Sequence, residues 1–299
     1  MTDKASVYDT ITNKIIASIE ADPGKWQMPW HRSSSGPLHM PKNALTGNHY
    51  RGINTVALWV SAEASGYSRP LWGTYRQWAE LGAQVRKGEK ASPVIFYKEF
   101  EVDPSPDDTA DDGKRRVARA SSVFNVDQVD DGPAAIEVPD HGPVVRNQQF
   151  DDFVAATGAI ITHGGAQAFY MPATDTIRMP DESRFFDTAT STRDDSYAAT
   201  SAHELAHWSG ARHRLNRDLS GRFGNEAYAA EELVGELTSA FICASLGITC
   251  EPRPDHAQYI AHWLKLLKSD NRAIFAAAAK ASQAAEYLQG LAQPLAQVA

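Results

Sequence analysis

The chain has 299 residues, 42% of them hydrophobic and 22% charged. That is the balance of a globular protein with room for about two domains, and it excludes a disordered or fibrous chain. No run of eighteen apolar residues occurs, so no membrane span is expected, and two cysteines are too few for a disulfide framework or a four-thiolate zinc site.

The net charge of -8 is unevenly spread. Residues 1–101 carry 12 Lys/Arg against 9 Asp/Glu, whereas residues 102–146 and 147–299 are acidic. An anionic polymer would therefore be met by the N-terminal part. The polar start, Met1 to Lys4, is not followed by a signal-peptide core, which predicts a cytoplasmic protein. Cys243 and Cys250 read as buried free thiols.

In chain order, Ser6 to Ala21 is an amphipathic helix with Val7, Ile11, Ile15, Ile16 and Ile19 on one side, closed by Asp22-Pro23-Gly24. A loop from Lys25 to His49 leads through Tyr50-Arg51-Gly52-Ile53-Asn54 into an apolar helix, Thr55 to Ser65. Trp72, Thr74, Tyr75 and Trp78 read as a short helix, followed by a charged turn at Arg86 to Lys90. Pro93 to Val102 and Lys114 to Val126 read as paired strands, with acidic Asp103 to Gly113 as the hairpin tip.

Five of the seven Trp fall between residues 26 and 78, and residues 31–98 hold nine Lys/Arg against three Asp/Glu. Aromatic faces stack on unpaired bases while basic groups follow phosphates, so the combination suggests single-stranded nucleic acid, although clustered Trp are more often core than platform. The candidate contacts are Trp30, Arg32, Lys42, Tyr50, Arg51, Asn54, Trp72, Tyr75, Arg76, Arg86, Lys87 and Lys90.

A polar, Pro-containing stretch at 131–146 is read as a linker between domains at 1–130 and 147–299. The second domain begins with a helix, Asn147 to Ala156, and a strand, Ala159 to His163. Ala168 to Pro172 and Thr176 to Pro180 form a candidate hairpin along which an extended peptide could lie; His163 and Tyr170 read as packed strand residues.

His203-Glu204-Leu205-Ala206-His207 follows, with Asp194 to Ser196 as its N-terminal cap and Gly210 as its end. Imidazoles four residues apart stack on one helical face and can grip one cation, with the intervening carboxylate placed to deprotonate a water. This is the zincin signature, and it lacks a third ligand.

His213 would complete the metzincin spacing, but no Met lies downstream for the turn that travels with it. The alternative is the helix from Ala229 to Leu246. At 100° steps Glu232 and Glu236 share a face with the small residues Ala229, Ser239, Ala240 and Cys243, and Glu231 points away. Glu232 is therefore assigned as third ligand, ahead of Glu231 and His213, and Glu236 as an acceptor orienting a ligand imidazole. Helices at Pro254 to Leu267 and Ser269 to Leu291 close the domain, with His256 and His262 structural.

Several separated words resemble the antirestriction protein ArdC family of conjugative plasmids. They are Pro41-Lys42-Asn43, Thr46-Gly47, Tyr50 to Asn54, Trp72 to Gln77, Val85 to Glu89, His203 to Gly210, Arg214-Leu215 and Glu231 to Leu233. The resemblance implies an α+β protein with two domains, an N-terminal α/β domain that binds single-stranded DNA and a C-terminal zincin-like metallopeptidase domain. It also implies a role in shielding incoming plasmid DNA from restriction.

The expected protein is a gluzincin-like zinc peptidase, with Zn2+ or another divalent metal such as Mn2+ on His203, His207 and Glu232, and Glu204 as the catalytic base. Its expected partners are single-stranded DNA and a protein substrate or restriction-system component, without a membrane. The alternative is a non-catalytic protein that coats DNA and has a structural metal. A mimic of DNA is a weaker third reading.

Overall fold

Residues 7–20, 39–101, 114–133, 143–185, 187, 191–219, 226–248 and 256–292 are described by this computed structural model. Trp30, Arg32, Cys250, most of the 131–146 stretch and all of Asp103 to Gly113 lie outside them.

Isoleucines at every fourth position give the first helix, α1 (Val7–Glu20), a single apolar stripe, and Ile11, Ile15 and Ile19 are buried along it. After β1 (Lys42–Asn43) comes α2 (Ile53–Ser65), buried from Ile53 to Ser61 and stopped by Gly66 in the left-handed conformation at φ 69°. Then follow β2 (Leu71–Gly73), α3 (Tyr75–Glu80), β3 (Gln84–Val85), β4 (Ser92–Glu101), β5 (Lys114–Asn125) and β6 (Val129–Asp130).

The main N-terminal sheet has the order β1-β2-β5-β4; β1 and β2 are parallel and the other pairs antiparallel. β3 and β6 form a separate antiparallel ribbon. Trp72 therefore sits on a strand rather than on a helix. Three residues are too few to display a period-two pattern, and only the capping box of Thr74 and Gln77 marks where α3 begins.

In the C-terminal half, α4 (Pro143–Thr157) precedes β7 (Ile160–His163), β8 (Phe169–Met171) and β9 (Thr176–Met179). Their order is β7-β9-β8, with β7 parallel and β8 antiparallel to β9, so the hairpin forms and β8 is an outer strand. Four helices complete the chain: α5 (Arg193–Ser209), α6 (Glu226–Leu246), α7 (His256–Ser269) and α8 (Ala273–Ala292).

α6 is buried on almost every side, including Thr238, Ser239, Ile242 and Cys243, because α5, α7 and α8 surround it. One apolar core runs through both halves. Ile11, Ile15, Ile53, Val56 and Ile95 belong to the same cluster as Leu205, Phe241, Ile274, Ala278 and Leu288. Polar ties cross as well: Thr12 Oγ1 donates to the Asn271 carbonyl at 2.7 Å, and the Gly52 N–H donates to Ser282 Oγ at 2.8 Å. No described helix is long and apolar enough to cross a membrane.

Candidate metal centre

The helix that carries the histidines starts earlier than its sequence suggests. Thr192, not Asp194 to Ser196, is the N-cap, its side chain accepting the Asp195 N–H at 3.1 Å, while Asp194 and Asp195 lie in the first turn, where negative charge suits the dipole. Gly210 ends the helix at an ordinary right-handed φ of -75°. Its lack of a side chain serves space instead: a Cβ there would lie 2.8 Å from the Arg217 guanidinium.

His203, His207 and Glu232 come together, their ligand atoms mutually within 4.8 Å. The two Nε2 atoms are 3.0 Å apart, and Glu232 places one oxygen 3.5 Å from His203 Nε2 and the other 3.6 Å from His207 Nε2. An ion bound tetrahedrally at about 2.0–2.1 Å separates its ligand atoms by about 3.4 Å, so this donor set fits a small divalent cation. Glu204 is buried on the same helix, 3% exposed.

A carboxylate also lies against the outer nitrogen of each imidazole. His203 Nδ1 lies 3.0 Å from Glu236 Oε1, and His207 Nδ1 lies 3.2 Å from Glu231 Oε1. A proton on His207 Nδ1 satisfies Glu231 and turns that ring's Nε2 lone pair toward the shared centre, while His203 Nδ1 and Glu236 Oε1 meet in a close charge contact.

Glu231 does not point away, as expected from its angular position; it backs His207. Arg217, also buried, donates to both Glu231 oxygens at 3.2 Å from Nε and to Oε1 at 2.9 Å from a terminal nitrogen. Burial alone would raise the Glu231 carboxyl pKa, but the hydrogen bonds from His207 and Arg217 outweigh it and hold the group below its ordinary value.

Gly235 explains how Glu231 reaches His207. A Cβ on it would lie 2.8 Å from His203 Cε1 and 3.1 Å from the Nε2 of each imidazole, so only glycine lets the α6 backbone come this close. At such an approach the face toward α5 widens to an arc of about 140° holding Glu231, Gly235, Ser239, Glu232 and Glu236. Ser239 sits near its middle and donates to the Ala199 carbonyl at 2.8 Å. The glycine inside an otherwise apolar helix was the available signal.

His213 is not part of this centre. It is exposed, with Nε2 3.4 Å from Asp175 Oδ2 at the turn of the β8–β9 hairpin. The same Asp175 accepts from Arg214 at 2.6 and 2.8 Å and from the Tyr170 hydroxyl at 2.8 Å, and the Arg214 guanidinium lies 3.5 Å from the centre of the Trp208 ring. These contacts dock the hairpin on the end of the histidine helix. His163 faces Tyr197, its Nε2 2.8 Å from the phenol oxygen.

The residues expected to meet nucleic acid divide sharply. Trp72 is 1% exposed and packs with Leu58, Val94 and Val123, so it is core and no base can stack on it. Tyr50 is buried beside it and accepts from Asn43 Nδ2 at 3.2 Å. Asn54 is buried with its amide bonded at 2.7 Å to both the N–H and the carbonyl of Ile95, a pin between α2 and β4. Arg86 holds Glu89 and the Asp127 carbonyl.

Arg51, Tyr75, Arg76, Arg86, Lys87 and Lys90 are exposed, and Lys42 is half-buried. Phe96, exposed on β4, is an aromatic that the clustering of Trp did not single out.

A histidine pair on one helix, a carboxylate from the next and a small sheet alongside are the parts of a zincin-like metallopeptidase domain, and residues 148–280 match that family. Residues 5–124 match the N-terminal domain of anti-restriction factor ArdC. The chain is similar to crystal structures of the antirestriction ArdC protein from plasmid R388, metal-free and Mn(II)-bound, with a TM-score of 0.75 to each. Identities are 38% and 37%, covering 96% and 97% of this chain and 98% and 100% of those chains. The protein belongs to the ArdC antirestriction family.

It is also 46% identical over 287 residues to the uncharacterized protein y4eC of Sinorhizobium fredii, covering 94% of this chain and 91% of that one. Two DNA primases TraC of Escherichia coli are 35% identical across 97% and 98% of this chain, which spans only 28% and 20% of their lengths.

Proposed function

We propose that the protein is a metal-dependent peptidase acting beside single-stranded DNA in the antirestriction role of its family. The observation that carries this reading is the convergence of His203 Nε2, His207 Nε2 and Glu232, with each imidazole backed through Nδ1 by a further carboxylate. Two imidazoles and a carboxylate suit Zn2+, and Mn2+ is its rival because an ArdC relative binds Mn(II).

When bound, such an ion supplies Lewis acidity toward water and the scissile carbonyl. Glu204 takes the proton of the attacking water and passes it to the leaving amine. Glu231 orients His207 through its Nδ1, and Glu236 lies against Nδ1 of His203. β8 offers its outer edge to an extended peptide, which would add as a further strand. The DNA half of the reading rests on Arg51, Arg76, Lys87 and Lys90, on exposed Tyr75, and on the DNA-handling relatives named above.

Glu204→Gln tests the reading. Metal binding should be retained, while cleavage of a casein-type substrate should fall at least a hundredfold, within the roughly 10²–10⁴ that a general base contributes. Protection of incoming plasmid DNA in a mating assay should fall with it. Protection that persists when cleavage is abolished would replace the peptidase with a DNA-coating protein whose metal is structural.

A further inference from the structure

A cleft of about 380 Å³ lies between the two halves of the molecule, within the size range of about 300–1,000 Å³ typical of small-ligand sites. Met40 and Leu71 wall it from the N-terminal half, and Phe241 and Ala244 from α6. Phe241 and Ala244 stand on the same helix as Glu231 and Glu232.

Polar side chains also line it, His39, His49, Arg69 and Glu286 among them, and two are placed to read a base. Ser282 Oγ accepts the Gly52 N–H at 2.8 Å and keeps its hydroxyl proton as a donor. Gln289 donates from Nε2 to Ser245 Oγ at 3.0 Å and keeps its carbonyl oxygen as an acceptor. At the rim, Lys42 has no acidic partner among the described residues, and Arg51 pairs with Glu286 at 3.1 Å in an exposed contact that a phosphate can displace.

A cleft with apolar walls, a free hydroxyl donor, a free amide acceptor and cations at its mouth matches a nucleobase carrying its phosphate. We propose that this interdomain cleft takes one nucleotide of a bound single strand, with the base against Met40 and the phosphate at Lys42 and Arg51. The proposal rests on the single-stranded DNA reading above and adds to it a location in contact with both halves.

The test is photocrosslinking of the full chain to a twelve-residue thymidine oligonucleotide carrying one central 5-iododeoxyuridine, with adducts mapped by mass spectrometry. Adducts at His39, Met40 or His49, the accessible lining residues, are expected. Ala244→Phe, which fills the slot, should remove them and weaken oligonucleotide binding at least tenfold. Adducts confined to Tyr75 or Phe96 with the oligonucleotide still bound would overturn the cleft and leave the DNA reading standing. No retention of the oligonucleotide would overturn both. The mapping needs no variant, so a misfolded Ala244→Phe protein does not blunt the result.

Discussion

Gly235 is where a single missing carbon decides the chemistry. In a helix interior, alanine is favoured over glycine by about 0.5–1 kcal/mol, so Gly235→Ala should not weaken the helix itself. Its Cβ would nevertheless press on both imidazoles at 2.8–3.1 Å. The expected outcome is a protein whose metal-free melting is little changed and whose affinity for Zn2+ or Mn2+ falls at least tenfold by calorimetric titration. Unchanged affinity would show that the helices can part without cost to the centre.

Glu231 and Arg217 act one layer further out. Glu231→Gln keeps the shape and loses the charge that orients His207, and carboxylates in this role are worth about 10–100-fold in metal affinity. Arg217→Met leaves the Glu231 carboxylate buried without its guanidinium and should cost about 3 kcal/mol by urea unfolding. Adding Glu231→Gln to it should restore most of that, because the stranded charge is then gone.

The His pair was legible from its spacing, and Glu232 and Glu236 from their angular positions. Glu231 was not, because a helical wheel gives directions but no distance between helices, and distance decides how wide an arc makes contact.

At the scale of elements, the long β4–β5 pair was legible because Pro93 to Val102 is rich in Val, Ile, Phe and Tyr and is followed by an acidic, Pro-containing stretch before the next strand. β2 was not, and the start of α5 was displaced because Thr192 competes with the acidic residues behind it for the cap. The β8–β9 hairpin is held by a short polar chain, Tyr170 to Asp175 to Arg214. Burial, followed by the hydrogen bond to Asp175 and its charge, pushes the Tyr170 phenol up to about 12 from 10.0.

A phenol with a raised folded pKa contributes its full stability below pH 10 and loses it as the pH rises toward 12. Tyr170→Phe should therefore cost about 1.5 kcal/mol at pH 8, the value of a hydrogen bond to a charged group. The gap between variant and parent should close by pH 11.5. Urea unfolding at the two pH values reads it, and a gap independent of pH would assign the cost to packing alone.

For the molecule as a whole, patterning shows which face of each helix is apolar but not which element will cover it, so the shared core could not be read in advance. α1 and α2 precede the 131–146 stretch, α8 follows it, and all three contribute to one buried cluster. Removing either half would bare Ile274, Ala278 or Ile53 to water, and burying such side chains is worth about 1.5–3 kcal/mol each for the larger ones. The two halves should therefore unfold together, giving one calorimetric transition with equal calorimetric and van't Hoff enthalpies. Metal at a hundred times its dissociation constant adds about 2.7 kcal/mol to the folded state. It should raise that single transition as a unit, including the probes on Trp59 and Trp78, which lie far along the chain from His203. Two resolved transitions, with only the later one moved by metal, would mean that the core is continuous in space but not in energy.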